Sequence, residues 1–180
     1  MAVETISIHR EIVERCKRGD RLAQYQLYEL YSKAMLNTCY RMMNSREEAE
    51  DMLQEAFVSA FRRLDSFRFE STFGAWLKRI VINHCINELK RRKLELELVE
   101  DLHRFETPSE TSESSEGKWT VDMIRQAVMQ LPNGYRVVFS LYALEGYDHQ
   151  EIAQILNVTE STSKSQYLRA KRKLKELINR

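Results

Sequence analysis

An acidic segment near the middle of the chain divides it into two parts that must fold separately. Residues 106–117 read Glu-Thr-Pro-Ser-Glu-Thr-Ser-Glu-Ser-Ser-Glu-Gly and contain no large apolar side chain. Such a stretch cannot bury enough surface to offset the entropy lost on ordering, which predicts a flexible tether. We therefore predict one helical domain over residues 1–94, an acidic flexible linker over 95–118, and a second helical domain over 119–180.

Positive charge is concentrated on both sides of this linker. Residues 76–93 contain six Lys or Arg against one Glu, and residues 161–180 contain seven against one. Residues 94–118 contain two basic residues against eight acidic ones, so the net charge of +1 for the whole chain conceals the separation. Two basic segments on two domains suit a long polyanion bound at two places, and DNA is such a polyanion.

Glycine and proline are scarce, which favours helices over a turn-rich β architecture. The chain of 180 residues has 5 Gly and 2 Pro, and 43% of its residues are apolar. Its three cysteines are widely spaced without a CxxC pair, as in proteins with reduced thiols. The sequence shows neither a secretory signal nor an apolar run near the roughly 18 residues of a spanning helix. These features predict an all-α, cytoplasmic protein that does not insert into a membrane.

No group of residues in the sequence predicts a catalytic, cofactor-binding or metal-binding site. The chain has no glycine-rich phosphate loop and no HExxH motif. His84 and Cys85 are adjacent, and adjacent side chains on a helix point about 100° apart, which is not metal-ligand spacing. We therefore expect a binding protein without a cofactor rather than an enzyme.

The second domain contains a predicted helix-turn-helix. Asp148-His-Gln-Glu151 has the form of a capping box and starts a short helix, which Asn157-Val-Thr159 ends before a basic helix follows. When such a helix enters the major groove, its first turns reach base edges and its later cations bind phosphate. The predicted DNA contacts on this helix are Ser161, Thr162, Ser163, Lys164, Gln166, Tyr167, Arg169, Lys171 and Arg172.

The first domain contains a basic helix that begins among aromatic residues. Aromatic faces can stack on unpaired bases, and nearby amide and cationic groups can bind the same strand. This combination favours single-stranded DNA over rigid duplex, although Phe73 is expected to belong to the core. The predicted contacts are Phe67, Phe69, Trp76, Asn83, Asn87, Lys90, Arg91 and Arg92.

These segments together resemble bacterial extracytoplasmic-function (ECF, group IV) sigma factors of the sigma-70 family, over nearly the whole chain. Residues 49–57, Ala-Glu-Asp-Met-Leu-Gln-Glu-Ala-Phe, are similar to the core-binding motif of that family. The segment that opens and reads the −10 promoter element is matched by Phe73-Gly-Ala-Trp-Leu-Lys-Arg-Ile80, Asn83 and Arg91-Arg92. The module that reads the −35 element is matched by Leu131-Pro132, Arg136, Glu151-Ile-Ala153, Lys164-Ser165 and Arg169-Ala-Lys171.

The resemblance implies a transcription initiation factor with a sigma region 2-like domain and a sigma region 4-like domain. It would bind core RNA polymerase, direct it to promoters by reading the −35 and −10 elements, and help strand opening. Asp51, Gln54 and Glu55, an ordinary polar face by composition, would contact the coiled coil of the largest subunit. The second domain would bind the flap of the second-largest subunit, and an anti-sigma factor would be a further partner. Residues 65–72, with Arg68 among them, would form a pocket for a flipped −10 base.

Two positions depart from the family pattern. Asn87 stands where Asp is frequent, which affects −10 specificity or local hydrogen bonding. Ser163 stands where a helix-turn-helix normally has an apolar residue, so its hydroxyl is expected to bond back to a backbone carbonyl or to face outward.

Two other functions are compatible with parts of the sequence. A helix-turn-helix activator or repressor that binds duplex DNA as a dimer would account for residues 119–180 and leave the first basic helix without a role. A sigma mimic that sequesters a regulator would keep its activity when Lys164, Arg169 and Lys171 are replaced.

Overall fold

The computed structural model describes residues 9–91 and 120–179, and every regular element within these two ranges is helical. The chain divides into two compact units, Met1–Lys93 and Leu94–Arg180. The prediction of an all-α protein with two helical domains is therefore confirmed. The predicted acidic linker lies outside the described residues, and so does Arg92 of the predicted DNA contacts.

In the described residues, the N-terminal unit contains helices Arg10–Lys17 (α1), Arg21–Met43 (α2), Arg46–Arg62 (α3) and Phe73–Arg91 (α4). Helix α2 packs against α1, α3 and α4, and α3 also packs against α4. A continuous apolar interior holds the four helices together, at about 1.5–3 kcal/mol for each large side chain removed from water. A 3-10 turn at Leu64–Ser66 follows α3. The interior includes Val13, Leu27, Met42, Leu53, Phe57, Phe73, Leu77 and Ile82.

Side-chain caps fix where α2 and α3 begin. The Asp20 carboxylate accepts hydrogen bonds from the backbone N–H groups of Leu22, at 2.9 Å, and Ala23, at 3.1 Å. The Ser45 hydroxyl accepts from Glu48 N–H at 3.4 Å, and Asn44 before it adopts a left-handed φ of 58°. Because these bonds satisfy donors that a helix leaves unpaired at its start, each boundary is specified locally.

Gly74 allows the start of α4 to approach α2 closely. A Cβ atom at this position would lie 2.9 Å from Cε1 of Tyr31. The Tyr31 ring cannot move away easily, because its hydroxyl lies 2.9 Å from Nδ1 of His9 and its ring packs edge-on against Phe73. A side chain at residue 74 is therefore incompatible with this packing.

In the described residues, the C-terminal unit contains helices Val121–Met129 (α5), Asn133–Phe139 (α6), His149–Leu156 (α7) and Glu160–Ile178 (α8). Helix α8 contacts each of the other three. Ala127, Val128 and Leu131 pack against Ala170 and Leu174 of α8 in one apolar cluster. The last helix is therefore both a core element and a surface element. A π-helical turn at Ser140–Leu144 follows α6.

Arg136 is buried inside this unit and ties the start of α6 to the end of the preceding turn. Its Nη1 donates to the carbonyl oxygen of Leu131 at 2.9 Å, and its Nη2 donates to Oδ1 of Asn133 at 2.6 Å. Burial lowers the pKa of Arg136. The guanidinium remains charged at any ordinary pH, so these hydrogen bonds offset part of its desolvation.

The predicted helix-turn-helix is present as α7, a short turn and α8. Asp148 accepts from Glu151 N–H at 2.8 Å, and the Glu151 carboxylate accepts from Asp148 N–H at 2.9 Å, so the predicted capping box is confirmed. Asn157 ends α7 with a left-handed φ of 57°. Thr159 caps α8 by accepting from Thr162 N–H at 3.1 Å. The turn is thus specified by residues within it.

Candidate functional site

Helix α3 presents a stripe of exposed side chains on the side away from its buried residues. Asp51, Gln54, Glu55 and Val58 are all exposed. Their spacing of three and four residues places them on one face of the helix. Two carboxylates, an amide and an isopropyl group therefore form one polar strip with an apolar end. We call these four residues the α3 stripe.

The α3 stripe leads into a cleft between α3 and α4 of about 330 Å³. Nδ1 of His84 on α4 lies 3.6 Å from Oε2 of Glu55. Arg62 and Arg63 in the lining of the cleft add cationic groups to a surface that begins with carboxylates. Its lining residues are Glu55, Val58, Ser59, Arg62, Arg63 and His84. Sequence reasoning did not include Val58, although its spacing from Gln54 and Glu55 extends the same face.

Helix α4 presents amide and cationic groups on one face. Asn83, Asn87 and Lys90 are exposed, and Trp76 is half-buried on the same face, two turns before Asn83. Arg79 is also exposed there and was missed in the sequence analysis. We call these five residues the α4 face. Its composition suits a single strand of nucleic acid, since it combines an aromatic ring, amides and positive charge.

Arg91 lies beside the α4 face and is held in place. Its Nε and Nη2 donate to the two carboxylate oxygens of Glu88, each at 2.8 Å. The Arg91 side chain is nevertheless largely exposed. A bidentate pair of this kind fixes the orientation of the guanidinium.

Phe67 is not available as a stacking surface, which corrects the sequence prediction. Its side chain is only 3% exposed, and its ring centroid lies 4.8 Å from that of Phe69 and 5.2 Å from that of Trp76. Phe73 is also buried, as expected from its position in the pattern. Phe67 is therefore part of the ring cluster beneath the α4 face. Arg68 next to it is exposed, and Phe69 is half-buried.

The start of α8 presents a second basic surface. Lys164 ion-pairs with Glu160 across one turn, with 2.6 Å between Nζ and Oε1. Thr162, Tyr167 and Arg169 are half-buried at its edge. The exposed side chains on this face, which we call the α8 face, are Ser161, Lys164, Ser165, Leu168, Lys171, Arg172 and Lys175.

Ser163 and Gln166 are buried, so the prediction that they contact bases is wrong. Their exposed fractions are 0% and 4%. They lie on the inward face of α8 that continues to Ala170 and Leu174, and that face packs against the rest of the unit. The Ser163 hydroxyl was expected to bond back to a backbone carbonyl or to face outward, and it does neither. Its Oγ lies inside the unit, 2.9 Å from Nδ1 of His149.

Ser165 and Leu168 are exposed on α8 but are absent from the predicted DNA contacts, although Ser165 belongs to the family match. Leu168 is 57% exposed on the α8 face. An apolar side chain in that position can contact the methyl group of thymine, and a serine can bond either kind of base edge. The signal was available in the sequence, since Ser165 lies four residues after Ser161 and Leu168 lies four residues after Lys164.

Three rings connect α8 to the preceding elements. The rings of Tyr142 and His149 are stacked with centroids 4.3 Å apart, and the centroid of Tyr142 lies 4.5 Å from that of Tyr167. Burial lowers the pKa of His149, and the charge of Lys164 lowers it further. The neutral form of the imidazole is therefore favoured within this cluster.

Residues 9–91 and 120–179 contain no helix that is long and apolar enough to cross a membrane. The same residues contain no group of three His, Cys, Asp or Glu side chains placed to hold a metal ion.

Comparisons with known proteins identify both units. The sigma-70 region 2 family matches residues 27–95, and the sigma-70 region 4 family matches residues 122–174. The RNA polymerase sigma-H factor of Pseudomonas aeruginosa is 34% identical over 172 residues, which is 90% of this chain and 89% of that protein. The ECF RNA polymerase sigma factor SigW of Bacillus subtilis is 29% identical over 176 residues, 92% of this chain and 94% of that protein.

A solved structure shares the fold. The sigma factor RpoE of Bartonella quintana, determined in complex with the anti-sigma factor NepR, has a TM-score of 0.53 and 24% sequence identity. The match covers 86% of this chain and 96% of that one.

Proposed function

The chain belongs to the ECF group of the sigma-70 family, and from this premise we propose how its surfaces divide the work of transcription initiation. As a sigma factor it binds RNA polymerase and directs it to specific promoters, and it is a transcription factor rather than an enzyme. In our proposal the α3 stripe binds the core polymerase, the α4 face opens and reads the −10 element, and the α8 face reads the −35 element.

The observation that carries this proposal is the separation of two exposed surfaces on neighbouring helices of one unit. The α3 stripe is acidic with an apolar end, which suits a protein partner and repels DNA. The α4 face is cationic and rich in amides, which suits DNA. One small unit could therefore hold the polymerase on one helix and a DNA strand on the next. We propose the coiled coil of the largest subunit as the partner of Asp51, Gln54 and Glu55.

Strand opening requires the polymerase as well as the α4 face. Drawing one base out of a duplex costs a few kcal/mol. Stacking on a side chain such as Trp76 returns roughly 1–3 kcal/mol per base. The remaining free energy must come from the assembled polymerase, so we expect the isolated chain to bind promoter DNA weakly. Asn83, Asn87, Lys90 and Arg91 would then hold the separated strand.

In the C-terminal unit, we assign base reading to the first turns of α8. Lys164, Ser165 and Leu168 are exposed where base edges would be met, and Lys171 and Arg172 follow where phosphates would lie. A separate exposed apolar group at the start of α5, Val121, Met123 and Ile124, is our candidate contact to the flap of the second-largest subunit.

We also propose that an anti-sigma factor restrains this chain in the cytoplasm. The Bartonella structure contains a sigma factor of the same fold bound to such a protein. An anti-sigma factor that covers the α3 stripe would prevent polymerase binding directly. Competition between a candidate anti-sigma protein and core polymerase for the full chain would measure this.

Run-off transcription from a pool of genomic promoters tests the proposed function. Purified bacterial core polymerase would be assayed alone, with the chain, and with the Gln54→Ala/Glu55→Ala variant. A matched control, Gln26→Ala/Glu29→Ala, removes an exposed amide and carboxylate from α2. We expect new discrete start sites with the chain and the control variant, and their loss with the α3 variant.

The alternative functions predict different outcomes. If the chain binds a palindromic duplex by itself and adds no start sites to core polymerase, it is a helix-turn-helix regulator. If replacing Lys164, Arg169 and Lys171 leaves its cellular activity intact, it acts by sequestering a protein.

A further inference from the structure

Two cations of α1 converge on the loop that precedes α4. Nζ of Lys17 donates to the carbonyl oxygen of Phe67 at 2.7 Å and lies 4.9 Å from the ring centroid of Phe69. The guanidinium carbon of Arg10 lies 4.7 Å from the same centroid. Because Arg10 and Lys17 are seven residues apart, they lie on one face of α1 two turns from each other.

Phe69, whose ring receives these contacts, has an unusual backbone conformation. Its φ of 58° lies in the left-handed region, which bulky side chains rarely adopt. Such a conformation costs free energy and persists only where surrounding contacts enforce it. Here the contacts are the two cations on its ring and the adjacent ring of Phe67. Two residues of α1, some fifty residues earlier in the chain, therefore supply contacts that can hold this loop conformation.

The same contacts lead directly to the α4 face. Lys17 holds the carbonyl of Phe67, and the Phe67 ring packs against Trp76 with 5.2 Å between centroids. Trp76 is the aromatic residue of the α4 face. Movement of Lys17 away from the loop would thus remove a hydrogen bond from the backbone of Phe67 and a cation from the ring of Phe69.

We propose that α1 positions the loop of residues 65–72 for strand opening. In this proposal Lys17 is the principal positioning residue and Arg10 supports it. The proposal rests on the proposed function, in which residues 65–72 receive an unpaired base of the −10 element. Neither cation contacts the base in this arrangement. Their role is to keep residues 67–69 in the receiving conformation before DNA arrives, which lowers the ordering cost of strand capture.

A direct phosphate contact by Lys17 is a different role with a different signature. Removing a phosphate contact weakens binding to all sequences and lowers the salt dependence of the binding constant by about one counterion. Removing a positioning residue leaves the salt dependence unchanged and reduces opening after the duplex has been bound. The two roles can therefore be separated in one set of measurements.

The experiment uses the full chain with core polymerase on a promoter identified by run-off transcription. Permanganate reactivity of unpaired thymines would report strand opening, and duplex binding would be measured at low temperature across a salt series. The variants are Lys17→Met, Lys17→Arg and Arg10→Gln, with Lys33→Met on the exposed side of α2 as the matched control. Thermal unfolding of each variant would identify any loss of folding.

We expect Lys17→Met to reduce opening about tenfold, because a hydrogen bond from a charged donor is lost, with duplex binding and its salt dependence unchanged. Lys17→Arg should restore most of the opening, Arg10→Gln should reduce it by a few-fold, and Lys33→Met should have no effect. Combining Lys17→Met with Phe69→Leu should cost less than the product of the two single effects, since both remove the same contact.

Three results would overturn the proposal. These are normal opening by Lys17→Met, independent effects of the Lys17 and Phe69 variants, or a reduced salt dependence that makes Lys17 a phosphate contact. Absence of any promoter opening by the unmodified chain with core polymerase is a separate result, and it contradicts the proposed function itself.

Discussion

The imidazole Nδ1 of His149 and the hydroxyl Oγ of Ser163 lie 2.9 Å apart and connect the first residue of α7 to the inward face of α8. Ser163 is fully buried, so its hydroxyl must find a partner within the unit. The partner lies on the other helix of the helix-turn-helix. This contact therefore helps to fix the rotation of α8 about its own axis, and with it the side chains that face outward.

Replacing Ser163 with alanine should destabilise the C-terminal unit. We expect Ser163→Ala to lower the free energy of unfolding by about 1 kcal/mol, because one buried hydrogen bond is lost. Urea denaturation of the full chain would measure the change. Ser165→Ala on the exposed side of the same helix is the control and should change the free energy by less than about 0.5 kcal/mol. Equal effects from the two variants would exclude a stabilising role for the contact with His149.

The stability of the C-terminal unit should fall as the pH decreases through the usual pKa of histidine. The folded-state pKa of His149 is lowered from 6.5, first by burial and then by Lys164, while Glu160 and Asp148 oppose the shift. The unfolded chain then binds more protons than the folded chain, so this contribution is complete above pH 6.5 and is lost as pH falls towards the folded-state pKa.

The His149→Gln variant isolates this effect. Urea denaturation of both proteins across a pH series should show a smaller pH dependence in the variant between neutral and mildly acidic pH. The remaining dependence comes from other ionisable groups that the two proteins share. Identical pH profiles would refute the assignment to His149.

Arg136 should be among the residues of the C-terminal unit whose loss is most destabilising. We expect Arg136→Ala to cost about 3 kcal/mol, because it leaves a cavity and removes the donors to Leu131 and Asn133. Arg136→Lys should not restore the stability, since an ammonium group cannot reproduce the planar fork. Arg125→Ala is the control, because Arg125 and its partner Asp122 are both largely exposed. Thermal unfolding monitored by circular dichroism would compare the three variants.

Asn87 should influence the base preference of the −10 element without affecting stability. It is exposed on the α4 face, and an amide both donates and accepts hydrogen bonds while a carboxylate only accepts. We therefore expect Asn87→Asp to shift the preferred bases in run-off transcription from a library of −10 sequences. Asn37→Asp, an equivalent change on the exposed surface of α2, should leave the preferences unaltered. The same preferences in both variants would remove Asn87 from the reading surface.

The cysteines should react slowly with thiol reagents in the folded chain. Cys16, Cys39 and Cys85 are all buried and unbridged. Burial raises the pKa of Cys16 to about 11, with Asp20 adding to the shift. The contact with Cys39, and then burial, raise the pKa of Cys85. Because the thiolate is the reactive form, labelling near pH 8 should be rapid only after unfolding. Fast labelling of the native chain would contradict the packing described for these helices.

The sequence was sufficient to predict structure that depends on residues close together in the chain. The capping box of Asp148 and Glu151 and the left-handed turn at Asn157 each rest on contacts within a few residues. Such features can be identified from residue type and spacing because the interacting groups are fixed by helix geometry.

Features that depend on distant contacts were not predictable in this way. Ser163 and Gln166 have side chains that suit base contacts, but packing against the rest of the unit turns them inward. The left-handed φ of Phe69 occurs beside Arg10 and Lys17, which contact its ring from a distant part of the sequence. No pattern in the neighbouring residues predicts it. The exposed position of Leu168 was within reach of the sequence, since it lies opposite the apolar series that includes Ala170 and Leu174.

The close approach of Gly74 to Tyr31 limits how this protein could be made more heat-resistant. Replacing a glycine inside a helix with alanine ordinarily stabilises a protein by up to about 1 kcal/mol. Here the added methyl group would lie 2.9 Å from the Tyr31 ring, which His9 and Phe73 hold in place. A protein engineer or natural selection would therefore have to remodel the contact between α2 and α4 before this familiar route to thermostability became available.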